Sequence, residues 1–265
     1  MTGVVLFPYC PRGLLSVMNS SFSMSLARWL DFLYPPSCAL CRTTLQNGRY
    51  LCPECRNGIH RIEKPYCIKC GDHIDGLVPE DVLCSQCRGL EFPFDFALAA
   101  ASARDKAAEI MHAYKYGRQI HLHRELALLA EEAWQDPRIV AQSNPPWILV
   151  PVPLHWRRQR WRWFNQSYEI ARTLAHRRNL RCEQALRRIR HTRQQALLPR
   201  ADRLTNLNGA FRLSQRERRV RSLRGQPVLL IDDVFTTGST AEECARILRE
   251  EGGVEKVVVL TVLRG

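Results

Sequence analysis

Two adjacent carboxylates, Asp232 and Asp233, stand just ahead of Thr236, Thr237, Gly238, Ser239 and Thr240. Hydroxyl residues around one glycine, at the start of a helical pattern, bring free N–H groups and a partial positive charge to one spot. That suits a phosphate. Gly238 lets the backbone come close, and the hydroxyls donate further hydrogen bonds. The acidic pair cannot hold that phosphate. It can accept hydrogen bonds from a diol such as ribose 2′- and 3′-OH, or attract Mg²⁺. A phosphate at one end and a diol at the other describe a ribose 5-phosphate. The Gly-Lys-Thr/Ser ending of a Walker loop is absent. The bland alternative is an ordinary strand-to-helix turn with a capped helix.

A second chemistry lies upstream. Four C-x2-C pairs, Cys38/Cys41, Cys52/Cys55, Cys67/Cys70 and Cys84/Cys87, use eight of the eleven cysteines. Each turn places two thiolates on one tetrahedral centre, so two turns close a Zn²⁺ site. The turns are ten residues apart in the first unit and thirteen in the second. Units this small cannot bury a core alone, so metal supplies their folding energy. Two structural zinc ions are expected, with sequential ligation favoured over cross-braced. Disulfides are the alternative, but no export signal places the chain in an oxidising compartment. Cys10, Cys182 and Cys244 are isolated and read as small buried or unremarkable residues.

The third cluster is basic. Pro153-Leu154-His155-Trp156 leads into Arg157, Arg158, Arg160 and Arg162, interleaved with Trp161 and Trp163. Arginine forks suit diphosphate oxygens. The tryptophans either pack under the loop or stack on bases. Further on, Arg188, Thr192 and Gln195 belong to a polar, basic stretch from Leu186 to Asn206. Lys115 is a further candidate phosphate contact, whereas His112, His121 and His123 lack metal-type partners.

The elements that position these residues follow from the apolar pattern. Val228–Ile231 and Trp147–Val152 are short apolar runs, as in buried parallel strands, and Phe96–Ala101 and Lys256–Leu263 also suit strands. Helical periodicity marks Ala107–Tyr116, Leu122–Trp134, Gln166–Arg178 with Asn165 as N-cap, and the stretch carrying Ala241, Cys244, Ala245 and Leu248. Strands alternating with helices predict an α/β, doubly wound, mostly parallel sheet. Such sheets bind ligands at the carboxyl ends of their strands.

The chain has 265 residues, with 45% hydrophobic and 25% charged, and these are globular values. No apolar run approaches the length of a membrane span. The net charge is +13, but Val150 to Gln226 alone carries 20 arginines against 4 acidic residues. A positive field concentrated there implies an anionic partner, a polyphosphate or a nucleic acid. Met1 to Ser23 lacks a basic n-region and is interrupted by Pro8 and Pro11, which argues against a secretory signal and for a cytoplasmic protein. The expected division is an unstructured extension at 1–24, an amphipathic helix (Leu26, Trp29, Leu30, Leu33) with the cysteine units at 25–92, and the α/β domain at 93–265.

Val228 to Thr240, VLLIDDVFTTGST, resembles the 13-residue phosphoribosyl-pyrophosphate (PRPP) motif of type I phosphoribosyltransferases at every position. The resemblance implies that Asp232 and Asp233 hold ribose hydroxyls with Mg²⁺, and that Thr236 through Thr240 hold the 5-phosphate. It also implies a pyrophosphate loop comprising Pro153, His155, Arg157, Arg158, Arg160 and Arg162, and a mobile loop comprising Arg188, Thr192 and Gln195. Some purine-type relatives carry a carboxylate where Thr236 stands. VPVPLH, then arginines, then FNQS, together with the cysteine units, is similar to the ComF family of competence-associated proteins over about Ala27 to Gly265. One departure is Trp163, where members of that family usually have glycine before Phe-Asn-Gln. The resemblance implies phosphoribosyl transfer to an unidentified acceptor. The alternative is a non-catalytic nucleic-acid-binding competence protein, with single-stranded DNA or competence machinery as partner and the fold as a PRPP sensor or relic.

Overall fold

The computed structural model of the chain describes residues 35–45, 50–79, 81–142, 144–190, 207–215 and 221–265. The N-terminal extension, the amphipathic pattern after it, Cys10, Thr192 and Gln195 lie outside the described residues.

Strands β1 (Phe96–Ser102), β2 (Ile148–Pro151), β3 (Arg181–Cys182), β6 (Pro227–Phe235) and β7 (Lys256–Arg264) form one sheet in the order β1-β7-β6-β2-β3. Every neighbouring pair in it is parallel. Strands β4 (Leu186–Arg188) and β5 (Phe211–Leu213) make a separate antiparallel pair. The longer helices are α1 (Asp105–Tyr116), α2 (His123–Ala133), α3 (Trp156–Arg162), α4 (Gln166–Arg178) and α5 (Ser239–Glu250). Helices α1, α2 and α4 share a core with Leu229 and Ile231 of β6, whereas α5 and the β4–β5 pair share the other core with Val228 and Leu230. Side chains of a strand alternate between faces, so a central strand covered on both sides must be apolar throughout. That is why Val228–Ile231 reads as an unbroken apolar run.

Three elements differ from the sequence reading. Strand β6 does not stop at Ile231 but continues through the acidic pair to Phe235, with Asp232 opposite Thr261 and Val234 opposite Leu263 of β7. The arginine–tryptophan stretch is helix α3, with the His155 side chain capping its first turn by accepting from Arg157 N–H at 3.4 Å. The start of the expected mobile loop, Leu186 to Arg188, is paired as β4.

The cysteine units do not form a separately cored module. Cys38, Cys52, Cys55, Leu51 and Ile59 belong to the core on the α1/α2/α4 face, and Cys67, Cys70 and Cys87 belong to the core on the α5 face. The two units therefore straddle β1, the edge strand. The chain between them and the first turn of the second unit pair with the edge: Ile62 N–H donates to Ala100 O at 3.0 Å, Ser102 N–H to His60 O at 2.9 Å, and Ala97 N–H to Lys69 O at 2.8 Å. This covers an edge that would otherwise present unpaired backbone groups. Gly71 has φ +68°, and a Cβ there would lie 2.8 Å from the Ala97 carbonyl oxygen, so close packing of the second unit on β1 demands glycine. Polar contacts pin the units further. Buried Glu125 accepts from Arg56 at 2.8 Å, and the Tyr66 hydroxyl donates to Asp136 at 2.7 Å.

Shared cores make stability shared. Cys38→Ser should lower the stability of the whole molecule by more than about 4 kcal/mol, the range reached when a metal site and buried packing are lost together. The near-UV circular dichroism signal of the core residues Trp134 and Trp147 should be lost in the same thermal transition as the cysteine units. A sheet that melts at its original temperature in this variant would mean that the units fold independently.

Candidate functional site

A cavity of about 820 Å³ opens at the carboxyl ends of β2, β6 and β7. It brings together Asp232, Asp233, Thr236, Thr237 and Thr240 with Pro153, Arg158, Trp161, Arg162, Lys115 and Arg188. Gly238 and Ser239 shape the loop without lining the cavity. Gly238 has φ +84°, and a Cβ there would meet the Phe235 ring at 2.7 Å. Ser239, which is buried, opens helix α5, and its hydroxyl lies 3.0 Å from that of Thr237. His155, Arg157 and Arg160 are not among the lining residues. His155 is buried as the α3 cap.

The helical form of α3 explains that separation. Residues three and four apart share a face. Arg158, Trp161 and Arg162 face the cavity, whereas Trp156, Gln159, Arg160 and Trp163 line a second, shallower groove of about 510 Å³. Neither Trp161 nor Trp163 is packed under the loop, being 55% and 74% exposed. Trp163 ends α3 with φ 73°, a left-handed conformation that glycine adopts freely and a tryptophan does not. The Arg118 guanidinium lies over its ring at 4.9 Å and Arg157 over Trp156 at 5.3 Å, so each exposed ring has one arginine over a face.

The acidic pair is held by residues distant in sequence. Lys115, at the C-terminal end of α1, pairs with Asp233 at 2.8 Å, rather than standing free for a phosphate. The Ser167 hydroxyl donates to Asp232 at 2.8 Å. Ser167 is placed by the start of α4, where the Asn165 side chain caps Ser167 N–H at 3.1 Å and donates to Val152 O at 3.1 Å. FNQS thus ties the end of β2 to the acidic pair on β6. Burial, and then the charge of Asp233, pushes Asp232 up to about 7. Burial and the neighbouring Arg158 pull Arg188 down to about 10.

The sequence reading missed Ser167, Arg264, Asp72 and Gln86. Arg264, buried at the end of β7, donates to Thr236 O at 2.7 Å and Phe235 O at 3.2 Å, and to Asp72 at 3.1 Å. Its position next to the last residue gave no pattern to read. With all groups charged, five cations face three carboxylates around the cavity, so its field favours an anion.

The cysteines assemble as two tetrathiolate sets. In Cys38/Cys41/Cys52/Cys55 and in Cys67/Cys70/Cys84/Cys87 the four sulfurs lie within 4.8 Å of one another, which is sequential ligation. N–H groups of Cys52 and Cys84 donate to the sulfurs of Cys38 and Cys67, each at 3.4 Å, as thiolate ligands require. Hydrogen bonding to Thr43 lowers Cys41 to about 6, while burial pushes Cys55 up. A divalent cation resolves that conflict by deprotonating all four. The donor sets fit two structural zinc ions.

Residues 29–88 match the double zinc ribbon domain. The chain is 30% identical over 231 residues to competence protein F of Haemophilus influenzae, covering 86% of this chain and 96% of that protein. It is 31% identical over 224 residues to DNA utilization protein YhgH of Escherichia coli, covering 82% and 92%. It is also 31% identical over 117 residues to competence protein ComFC of Bacillus subtilis, covering 44% of each. Among the described residues no helix is long and apolar enough to cross a membrane.

The raised Asp232 has a consequence for stability. Folded, it binds its proton more tightly than unfolded, where the usual value is 3.8. Its favourable contribution is therefore complete below about pH 4 and is lost as the pH rises through about 7. Asp232→Asn removes that loss. The variant's melting temperature, relative to the unsubstituted chain, should climb by a few degrees between pH 5 and pH 8, as about 1–2 kcal/mol would produce in a domain of this size. A pH-independent difference would show that Asp232 ionises normally.

Proposed function

Because the chain belongs to the ComF family of competence-associated proteins, whose relatives above are named for competence and DNA utilization, we propose that its cavity binds PRPP with Mg²⁺ and transfers the phosphoribosyl group to an acceptor. The observation that carries this reading is the facing of Asp232, Asp233 and the Thr236–Thr240 loop by Arg158 and Arg162 across one cavity. The loop and the start of α5 receive the 5-phosphate. The acidic pair accepts hydrogen bonds from the ribose hydroxyls, with Ser167 and Lys115 orienting the carboxylates. Arg158, Arg162 and Arg188 take the diphosphate oxygens.

Mg²⁺ fits the hard oxygen donors of the acidic pair and the diphosphate, and when bound it neutralises charge on the leaving group. The chain's own contribution is electrostatic. As the C1–O bond to the diphosphate breaks, its electron pair departs on pyrophosphate and C1 gains oxocarbenium character. The arginine wall stabilises the departing charge, and the nearby carboxylates favour the cationic ribose. The acceptor's lone pair forms the new bond to C1, and its proton passes to solvent.

Calorimetry tests the binding step. PRPP with Mg²⁺ should bind the zinc-loaded chain, and the Asp232→Asn/Asp233→Asn double variant should lose about 2–4 kcal/mol through missing charge-assisted hydrogen bonds. Undiminished affinity in that variant would remove the assignment.

A second reading rests on a separate observation. Trp156 and Trp163, with Arg157, Arg118 and Arg160 around them, form an exposed aromatic and basic surface facing away from the cavity. Stacking platforms flanked by arginines suit single-stranded DNA. The two faces of α3 separate this surface from the PRPP residues, so both ligands can bind together. Single-stranded DNA should bind with an affinity that falls steeply with salt and should not be displaced by PRPP. Trp163→Ala should weaken it by roughly 1–3 kcal/mol while PRPP affinity holds. Displacement by PRPP would place the DNA in the cavity instead.

A further inference from the structure

The cavity wall has one section that neither the phosphate loop, the acidic pair nor the arginine helix accounts for. Asp72 and Gln86 line it, and both come from the second cysteine unit. Each sits beside a metal-site thiol, Asp72 two residues after Cys70 and Gln86 directly before Cys87. The two knuckles of one cysteine unit therefore each carry one polar side chain to the ligand cavity.

The placement of Asp72 is built rather than incidental. Its carbonyl accepts from Cys67 N–H at 2.7 Å, which fixes it to the knuckle. Its carboxylate accepts from Arg264 Nη2 at 3.1 Å. Arg264 Nη1 is committed to the Phe235 and Thr236 carbonyls at the head of the phosphate loop. One buried guanidinium thus locks the second cysteine unit to that loop, and a carboxylate with one oxygen on Arg264 keeps capacity for further donors.

The order of the sheet says what this section faces. Along the carboxyl edge, the end of β2 leads into the arginine helix, β6 carries the acidic pair, and the end of β7 carries Arg264 beside Asp72. A diphosphate on the β2 side leaves C1 toward β2. A nucleophile attacking in line comes from the opposite side, over the end of β7. On the reading of the cavity as a PRPP site, we infer that the second cysteine unit forms the acceptor subsite, with Asp72 and Gln86 as the residues that select the acceptor. A carboxylate accepts only, and a carboxamide both accepts and donates. Together they suit a nitrogen heterocycle that presents N–H donors beside an acceptor atom, the edge pattern of a nucleobase.

The test uses the zinc-loaded full chain with Gln86→Ala and Asp72→Asn. Gln86 is exposed and takes no part in the Asp72–Arg264 tie, so its truncation leaves that tie in place. Adenine, guanine, cytosine and uracil serve as probes, read by saturation-transfer NMR and by pyrophosphate release from PRPP. Zinc content and the calorimetric affinity for Mg²⁺ with PRPP are the controls. At least one base should bind and release pyrophosphate. Both variants should weaken that response tenfold or more with two zinc per chain, and Gln86→Ala, which spares the Asp72–Arg264 contact, should keep PRPP affinity within twofold of the unsubstituted chain. A base response unchanged in both variants, or no response from any base in a chain that binds PRPP, overturns the acceptor subsite alone. Failure of PRPP itself to bind overturns the reading of the cavity, and the subsite with it.

Discussion

Two adjacent carboxylates at a partly buried cavity floor repel each other, and the rest of the structure is arranged to tolerate them. Asp232 is driven up to about 7 by burial and by its neighbour. Asp233 is balanced by Lys115 from α1, and Asp232 by the Ser167 hydroxyl from α4. The compensation is incomplete by design of the surroundings: the remaining cavity cations, Arg158, Arg162, Arg188 and Arg264, exceed what the carboxylates neutralise. An anionic ligand restores the balance, so the same charges that destabilise the free site favour its occupation. Strain of this kind at a binding site is the expected exchange of stability for function.

The second constraint is the edge of the sheet. Strand β1 pairs with β7 on one side only, and the segment between the cysteine units completes its other side. Each unit then borrows a face of the sheet for its missing core, Leu51 and Ile59 on one side, Cys67 and Cys87 on the other. A cysteine unit this short has too little apolar area to fold alone. Metal fixes its shape, and the sheet buries its apolar side. The cysteine units are therefore part of the architecture of the α/β domain, and through Asp72 and Arg264 they reach the Thr236–Thr240 loop itself.

What was legible in the sequence was local. Four C-x2-C turns gave the two metal sets because each turn is specified by its own spacing. The apolar runs of β2, β6 and β7 gave the parallel sheet because strands covered on both faces must be continuous in apolar character. Asn165 gave its helix start because capping is decided within a few residues. Contacts between residues far apart in the chain were not legible. Lys115 meets Asp233 across 118 residues and Arg264 meets Asp72 across 192, and neither pair leaves a periodic trace. The arginine–tryptophan stretch read as a loop because it follows the carboxyl end of a parallel strand, where open α/β sheets place their ligand loops. Its helical period emerges only when one face has a cavity to line and the other faces out.

Helix α3 presents a different surface to each of two cavities. An α-helix turns 100° per residue, so Arg158, Trp161 and Arg162 fall on one side and Trp156, Gln159, Arg160 and Trp163 on the other. Seven residues are enough to present a guanidinium wall inward and an aromatic surface outward. The helix must end where the chain turns back to place Phe164 in the core and Asn165 on the end of β2, and the left-handed φ of Trp163 makes that turn. A left-handed residue with no Cβ would make the same turn with less strain, but it would leave Arg118 nothing to stack on. The strained tryptophan exchanges backbone freedom for an exposed ring beside an arginine, so the outward face of α3 is held in shape by its own cation–π contact rather than by burial.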